Sequence, residues 1–269
     1  MSGTGCWSAR FVAVSAHPVR PSPIFLGLIA LTALGGVLAW RAADEVHGLA
    51  YTGVFVFVIA GWLVSLCLHE FGHAYTAWRF GDHGVAMRGY LTLNPLHYSH
   101  PGLSLVLPLV VIALGGIGLP GGAVFVQTGF MTPRRQSIVS MAGPAANLVL
   151  GVALLISTQV FYDPAHPVFF SALAFLGFLQ LTALVLNLLP IPGLDGYGAL
   201  QPHLSPATRR AVQPFERWGL LVVLVLLISS PAINRWFFSL VLWFFDLFGV
   251  PRMLVSWGMS LTQFWNAWL

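Results

Sequence analysis

The sequence predicts an all-α polytopic membrane protein of about six transmembrane helices with a small membrane-embedded β-strand or hairpin element. Three observations predict it. Of the 269 residues, 57% are hydrophobic and only 7% are charged, and the mean hydropathy is +0.82. A soluble domain carries roughly 25% charged residues, so this chain cannot clothe a water-facing surface. Apolar runs recur at the length of about 20 residues that a bilayer span needs. Several of the ten Trp stand at run ends, as in the aromatic belt of a membrane protein.

Taken in order, residues 1–23 carry Arg10, Arg20 and three prolines. They read as a short cytoplasmic tail ahead of a retained first helix, because no small-x-small cleavage site follows the apolar run. Candidate spans are 24–40, 54–79, 103–119, 136–161, 168–189 and 218–249. The last contains Pro231 and Arg235 and is either one helix or two. Residues 250–269, with Met253, Trp257, Leu261, Phe264, Trp265 and Trp268, read as an interfacial amphipathic helix. A single membrane domain therefore fills 24–249, with no soluble domain, long repeat or low-complexity tract.

All twelve basic residues are Arg, and the net charge is +4. They are scattered between apolar runs, which suits membrane orientation and excludes the basic stripe of a nucleic-acid partner. The two cysteines, Cys6 and Cys67, are too few for a disulfide framework or a cysteine metal cluster. Cys67 reads as a small core hydrophobe.

Arg10 and Arg20 place the N-terminus in the cytoplasm, loop 41–53 outside, and loop 80–102 with Arg88 inside. A full crossing by 103–119 would then strand Arg134, Arg135, Arg209, Arg210 and Arg217 outside. Orientation is restored if 103–133 enters the membrane and returns. Leu119-Pro120-Gly121-Gly122 breaks the helix, and 123–129 (AVFVQTG) is rich in strand formers. About ten extended residues cover roughly 33 Å. Backbone at that depth must be buried in protein or line a wet cavity.

The chemistry begins with His69-Glu70-Phe71-Gly72-His73. Residues four apart share one helix face, so His69 and His73 can grip one metal. Glu70 beside them is placed to take a proton from water at that metal. An ionisable residue inside an apolar run is expensive and by default functional. A catalytic zinc takes three protein ligands and keeps one position open, so a third ligand is required. Of the other acidic residues, Asp44 and Glu45 fall in an external loop, Asp163 in a short external turn, Asp82 near the cytoplasmic interface, Glu216 beside Arg217 at a helix start and Asp246 far along the chain, whereas Asp195 follows the run 168–189 at the end expected to be cytoplasmic. His73 is six residues, about 9 Å of helix, from Arg79 at that same end. Asp195 lies in Asn187-Leu188-Leu189-Pro190-Ile191-Pro192-Gly193-Leu194-Asp195-Gly196, where two prolines and two glycines unwind the chain and free a carboxylate to turn toward a metal.

HEFGH in one membrane helix and NLLPIPGLDG after a later one resemble the site-2 protease family of intramembrane zinc metalloproteases, in its small bacterial form without a PDZ or CBS domain. The resemblance covers roughly 65–200 and extends to Gly143-Pro144-Ala145-Ala146-Asn147 and to Leu91-Thr92-Leu93-Asn94-Pro95-Leu96 with Pro101. It implies one zinc ion held by His69, His73 and Asp195, with Glu70 as acid/base and a catalytic core of about 54–200. It also implies that Asn147 and Asn187 lie near the site, to contact substrate or orient ligands. Both stand inside apolar runs, which independently favours a polar role over a plain packing hydrogen bond. The chain departs from the family after Asn94-Pro95-Leu96, with His97-Tyr98 and His100 where Arg-His and a later Asp are usual. His83, His97 and His100 read as interfacial side chains rather than a second metal site.

The expected activity is hydrolysis of membrane-spanning or signal-anchor substrates, as in regulated intramembrane proteolysis. The enzyme would be multi-pass in the cell (inner) membrane, with its site toward the cytoplasm and with a regulatory membrane partner as a further implied association. Strand 123–129, around Val126, is expected to pair with an unwound substrate. Two other readings compete: a membrane transporter or ion-binding protein, and an inactive membrane scaffold. A transporter would bind zinc without proteolysis, and a scaffold would lack stoichiometric metal.

Overall fold

The computed structural model describes residues 19–42, 48–98, 109, 110, 112 and 124–267. Its regular structure is helical among the described residues, where five helical stretches are long and apolar enough to cross a membrane, the last of them the continuous run Pro206–Ser229. The sixth candidate span, 103–119, lies almost wholly outside the described residues, as do Arg10, Asp44, Glu45 and His100.

Helix α1 (Pro23–Arg41) starts where Ser22 Oγ accepts the Phe25 amide at 3.2 Å and Pro23 fills the first turn. Helix α2 (Gly48–Arg79) has 32 residues, about 48 Å at 1.5 Å per residue. That exceeds the hydrocarbon core of about 30 Å, so α2 tilts or projects from it. The two pack along small residues. A β-carbon on Gly35 would collide with the Phe57 backbone nitrogen, and one on Gly53 would stand 2.6 Å from that of Ala39. Lipid tails give helices no hydrophobic reason to associate, so such close backbone approach supplies the contact.

A short turn of helix, α3 (Gly84–Met87), follows, and then 3-10 turns at Tyr90–Thr92 and Pro95–His97. Helix α4 (Pro133–Phe161) runs back through the bundle with Pro144 in its middle. Helix α5 (Pro167–Leu188) is central: 83% of its apolar window is buried, against 22% for α1. Buried Phe175, Leu179, Val168 and Leu176 pack there against Val54, Val58 and Trp62 of α2. Helices α6 (Asp195–Leu200) and α7 (Pro206–Val212) are short. The run 218–249 resolves into two helices, α8 (Gly219–Ser229) and α9 (Pro231–Asp246), because Ser230 is extended and Pro231 starts afresh. Helix α10 (Arg252–Thr262) lays Leu254, Gly258 and Leu261 inward, and Gly258 approaches the Ser171 carbonyl of α5.

Contacts between helix termini show which ends lie together. Arg135 lies over the Phe80 ring at 5.3 Å, joining the start of α4 to the end of α2. At the other end His166 Nδ1 lies 3.0 Å from the Trp40 carbonyl, with the two rings stacked. Arg79, Arg134 and Arg135 therefore share one end of the bundle.

The expected strand or hairpin over 123–129 is not formed among the described residues. Residues 124–128 keep the alternation of a strand, with Val124, Val126 and Thr128 half-buried while Phe125 and Gln127 are exposed. Side chains, however, hold several of their backbone groups. Glu70 Oε2 accepts the Val124 amide at 3.1 Å, Asp82 Oδ2 accepts the Gln127 amide at 2.7 Å, and Arg88 Nη2 donates to the Phe125 carbonyl at 2.9 Å. The segment is thus a strap rather than a paired strand.

Candidate metal centre

His69 and His73 project from one face of α2, one turn apart, and both are buried. Their Nε2 atoms are 3.1 Å apart. Asp195 arrives from the other side. Helix α5 ends at Leu188, and Ile191-Pro192-Gly193-Leu194 then turns, with the Leu194 amide bonded to the Ile191 carbonyl at 3.0 Å. Pro192 presets the second position, and Gly193 takes φ 91° at the third, as a type II turn demands. The turn delivers Asp195 at the start of α6, with Oδ2 3.2 Å from His69 Nε2 and Oδ1 3.4 Å from His73 Nε2. One ligand atom from each residue lies within 4.8 Å of the others.

The chemistry of this donor set tests whether a metal fits. His69 Nδ1 lies 2.6 Å from Asn147 Oδ1, and Asn147 Nδ2 donates to Gln180 Oε1 at 2.8 Å. His73 Nδ1 lies 2.8 Å from the Val139 carbonyl. Both outer nitrogens face acceptors and so carry the protons, which leaves both lone pairs on Nε2 in the neutral rings. Two lone pairs and a carboxylate then face one another. Asp195 Oδ2 is buried and accepts no hydrogen bond of sound geometry among the described residues. Such a cluster calls for a cation at its centre, and two imidazoles with one carboxylate suit zinc.

A cavity of about 300 Å³ opens on this centre, lined by His69, Glu70, His73, Asn187, Asp195 and Val126 among others. Glu70 is buried and tied by its Oε2 to the strap. Val126 and Val124 of the strap form one wall. Asn147 stands behind the cavity on His69. The structure therefore gathers every residue expected at the site. His97 does not join it, lying instead 3.2 Å from the Gly89 carbonyl through Nδ1. Among the described residues, the one His/Cys/Asp/Glu group suited to a metal is His69, His73 and Asp195. Cys67 is a fully buried core residue, as expected.

Three contributors went unrecognised in the sequence. Gly143 packs directly against the imidazoles, where its β-carbon would collide with His73 Nε2. Gln180 holds Asn147 from the central helix. Asp82, set aside as an interfacial acid, is buried and anchors the strap. A signal existed for the first two: Gly143 opens the GPAAN segment, and Gln180 is an amide inside an apolar run. For Asp82 nothing in the local pattern pointed to a partner 45 residues away.

Two helical histidines one turn apart, a turn-borne carboxylate and a cavity inside an apolar helical bundle are the arrangement of a membrane-embedded zinc metalloprotease. Known proteins agree. The chain is 71% identical over 250 residues to a protein of Mycolicibacterium smegmatis designated a candidate zinc metalloprotease, Rip2, covering 93% of this chain and 96% of that one. It is 63% identical, over the same shares, to the protein of that name in Mycobacterium tuberculosis. It is 33% identical over 175 residues to a candidate zinc metalloprotease of Bacillus subtilis, YwhC, covering 62% of this chain and 78% of that one. No family model matches the chain. No solved structure matches it either. The chain belongs to the site-2 protease family of zinc metalloproteases.

Proposed function

We propose that His69, His73 and Asp195 hold one zinc ion and that Glu70 is the acid/base of peptide hydrolysis within or beside the bilayer. The observation that carries this reading is the convergence of two Nε2 lone pairs and the Asp195 carboxylate, without a proton to separate them, on a cavity that also contains Glu70. Bound zinc would polarise the scissile carbonyl and make a water acidic near neutral pH. Glu70 then takes the proton from the attacking water and returns it to the leaving amine. Its backbone bond from Val124 holds the carboxylate in place. Asn147 fixes the His69 ring from behind, and Asn187 offers the cavity an amide for the substrate backbone.

The substrate is a membrane-spanning or signal-anchor segment, unwound so that its backbone runs along the strap at Val126. The half-buried face of Val124, Val126 and Thr128 toward the cavity supports this. A proline at Val126 is expected to lower cleavage sharply without loss of zinc, and undiminished cleavage would remove the strap from the mechanism. The arginine-rich end of the bundle, which holds the site, faces the cytoplasm across the cell (inner) membrane. Regulated intramembrane proteolysis is the setting this arrangement serves, with a membrane partner controlling access. The domain divisions follow the same reading, with 1–23 as a cytoplasmic tail, 24–249 as the protease and 250–269 at the interface.

The test pairs metal content with cleavage of a single-span substrate in liposomes. Glu70→Gln is expected to keep zinc and lose cleavage, whereas Asp195→Ala loses zinc affinity. A transporter or scaffold would show no cleavage in wild type, and equal cleavage by Glu70→Gln would refute its assigned role.

A further inference from the structure

Gln180 is fully buried in the central helix α5, outside the lining of the cavity. A buried amide in an apolar helix is costly unless both its ends are bonded. Here only one is. Oε1 accepts Asn147 Nδ2 at 2.8 Å, while Nε2 has no partner among the described residues. The carbonyl end is therefore the part of Gln180 that interacts, and it interacts with the residue that holds His69.

The two ends of an Asn side chain have almost the same shape, so packing alone does not choose which faces a neighbour. Hydrogen bonds choose. With Oδ1 toward His69, Nδ1 of that ring carries the proton and Nε2 presents its lone pair to the metal position. With Nδ2 toward His69, the ring must accept at Nδ1, the proton moves to Nε2, and Nε2 can no longer be a ligand. In the first sense Nδ2 points away from His69 and needs an acceptor, which Gln180 Oε1 supplies; without one a buried donor is left unpaired and the metal-binding sense is penalised.

We propose that Gln180 is a positioning residue that supplies the acceptor at the far end of a buried chain, His69–Asn147–Gln180, and so supports the metal-binding tautomer of His69. This rests on the reading of His69 as a zinc ligand. Gln180 touches neither metal nor substrate and acts only through Asn147.

The test measures zinc affinity of the purified full chain in detergent, by competition with a chromophoric chelator. Removing an outer partner of a metal-ligating His lowers affinity about 10- to 100-fold. Gln180→Met, close in size and shape, acts one bond further out and is expected to show a loss at the lower end of that range, about 10-fold. Gln180→Glu keeps an acceptor and is expected to bind zinc nearly as wild type, which guards against a folding defect at this position. The discriminating comparison repeats Gln180→Met in an Asn147→Asp background. A carboxylate accepts through both oxygens, so it holds the His69 tautomer unaided, and the loss is expected to vanish. An equal loss in both backgrounds would mean that Gln180 acts by packing and would overturn the proposal, as would wild-type affinity in Gln180→Met. If His69→Ala also retains zinc, the metal centre itself has been misread; if His69→Ala loses zinc while Gln180→Met does not, only the relay fails.

Discussion

A β-carbon on Gly143 would stand 2.6 Å from His69 Nε2 and closer still to His73 Nε2. The residue is glycine because the imidazoles occupy that space. Gly143→Ala improves helix propensity by about 1 kcal/mol, so a defect cannot be laid to the helix. It is expected to lower zinc affinity by about 10- to 100-fold, readable by metal analysis of the purified variant. Proton competition is a second consequence at this scale. Histidine binds metal only when neutral, so zinc affinity is expected to fall as the medium is acidified. A chelator titration from pH 8 to 5.5 checks this, and a flat profile would speak against histidine ligands. At this scale the sequence was informative about chemistry and less so about support. HEFGH and LDG are local patterns whose spacing carries their chemistry. Gln180 and Gly143 act across helix contacts, and no spacing encodes which helices touch.

Elements place those residues at a common depth. The Pro192-Gly193 turn brings Asp195 back beneath the end of α5, and the close contact of Gly72 with the Ala142 carbonyl, 2.7 Å from its β-carbon position, sets α4 against α2. The strap 124–128 depends on Asp82 and Arg88. Asp82 also accepts the Gly84 amide at 3.0 Å and lies 3.6 Å from Arg88 Nη2. Asp82→Ala removes acceptors from buried donors and is expected to destabilise the strap by about 1–3 kcal/mol. Zinc content should hold while KM for a membrane substrate rises, measured in proteoliposomes. Unchanged KM would separate the strap from substrate binding. The alternation of AVFVQTG correctly announced an in-out segment but wrongly suggested a paired strand, because side-chain capture of backbone groups by distant residues is invisible in a local pattern. The break of 218–249 at Ser230 was legible in Pro231, since a proline that cannot continue one helix readily begins the next.

Over the whole molecule, the arrangement is one of sides. Arg79, Arg134, Arg135 and Asp195 lie at one end of the helices, while Trp40, His166 and the turn between α4 and α5 lie at the other. The apolar composition made a membrane bundle legible at once, and the arginine distribution made its orientation arguable. The order of packing around α5 was not legible, because the candidate spans among the described residues are all apolar and hydropathy does not distinguish a lipid-facing side from a buried one. A cysteine at Arg209 is expected to react with an impermeant thiol reagent from the cytoplasmic face of right-side-defined vesicles, and one at Asp163 from the opposite face; the reverse pattern would invert the proposed orientation. The central claim, zinc-dependent proteolysis at the membrane, is tested most directly by mass-spectrometric mapping of the products from a single-span substrate in liposomes, with wild type and Glu70→Gln compared. The account predicts a cut within or beside the span, toward the end of the bundle that holds Asp195, and none with Glu70→Gln. A cut in a remote soluble region, or the same cut with Glu70→Gln, would contradict it.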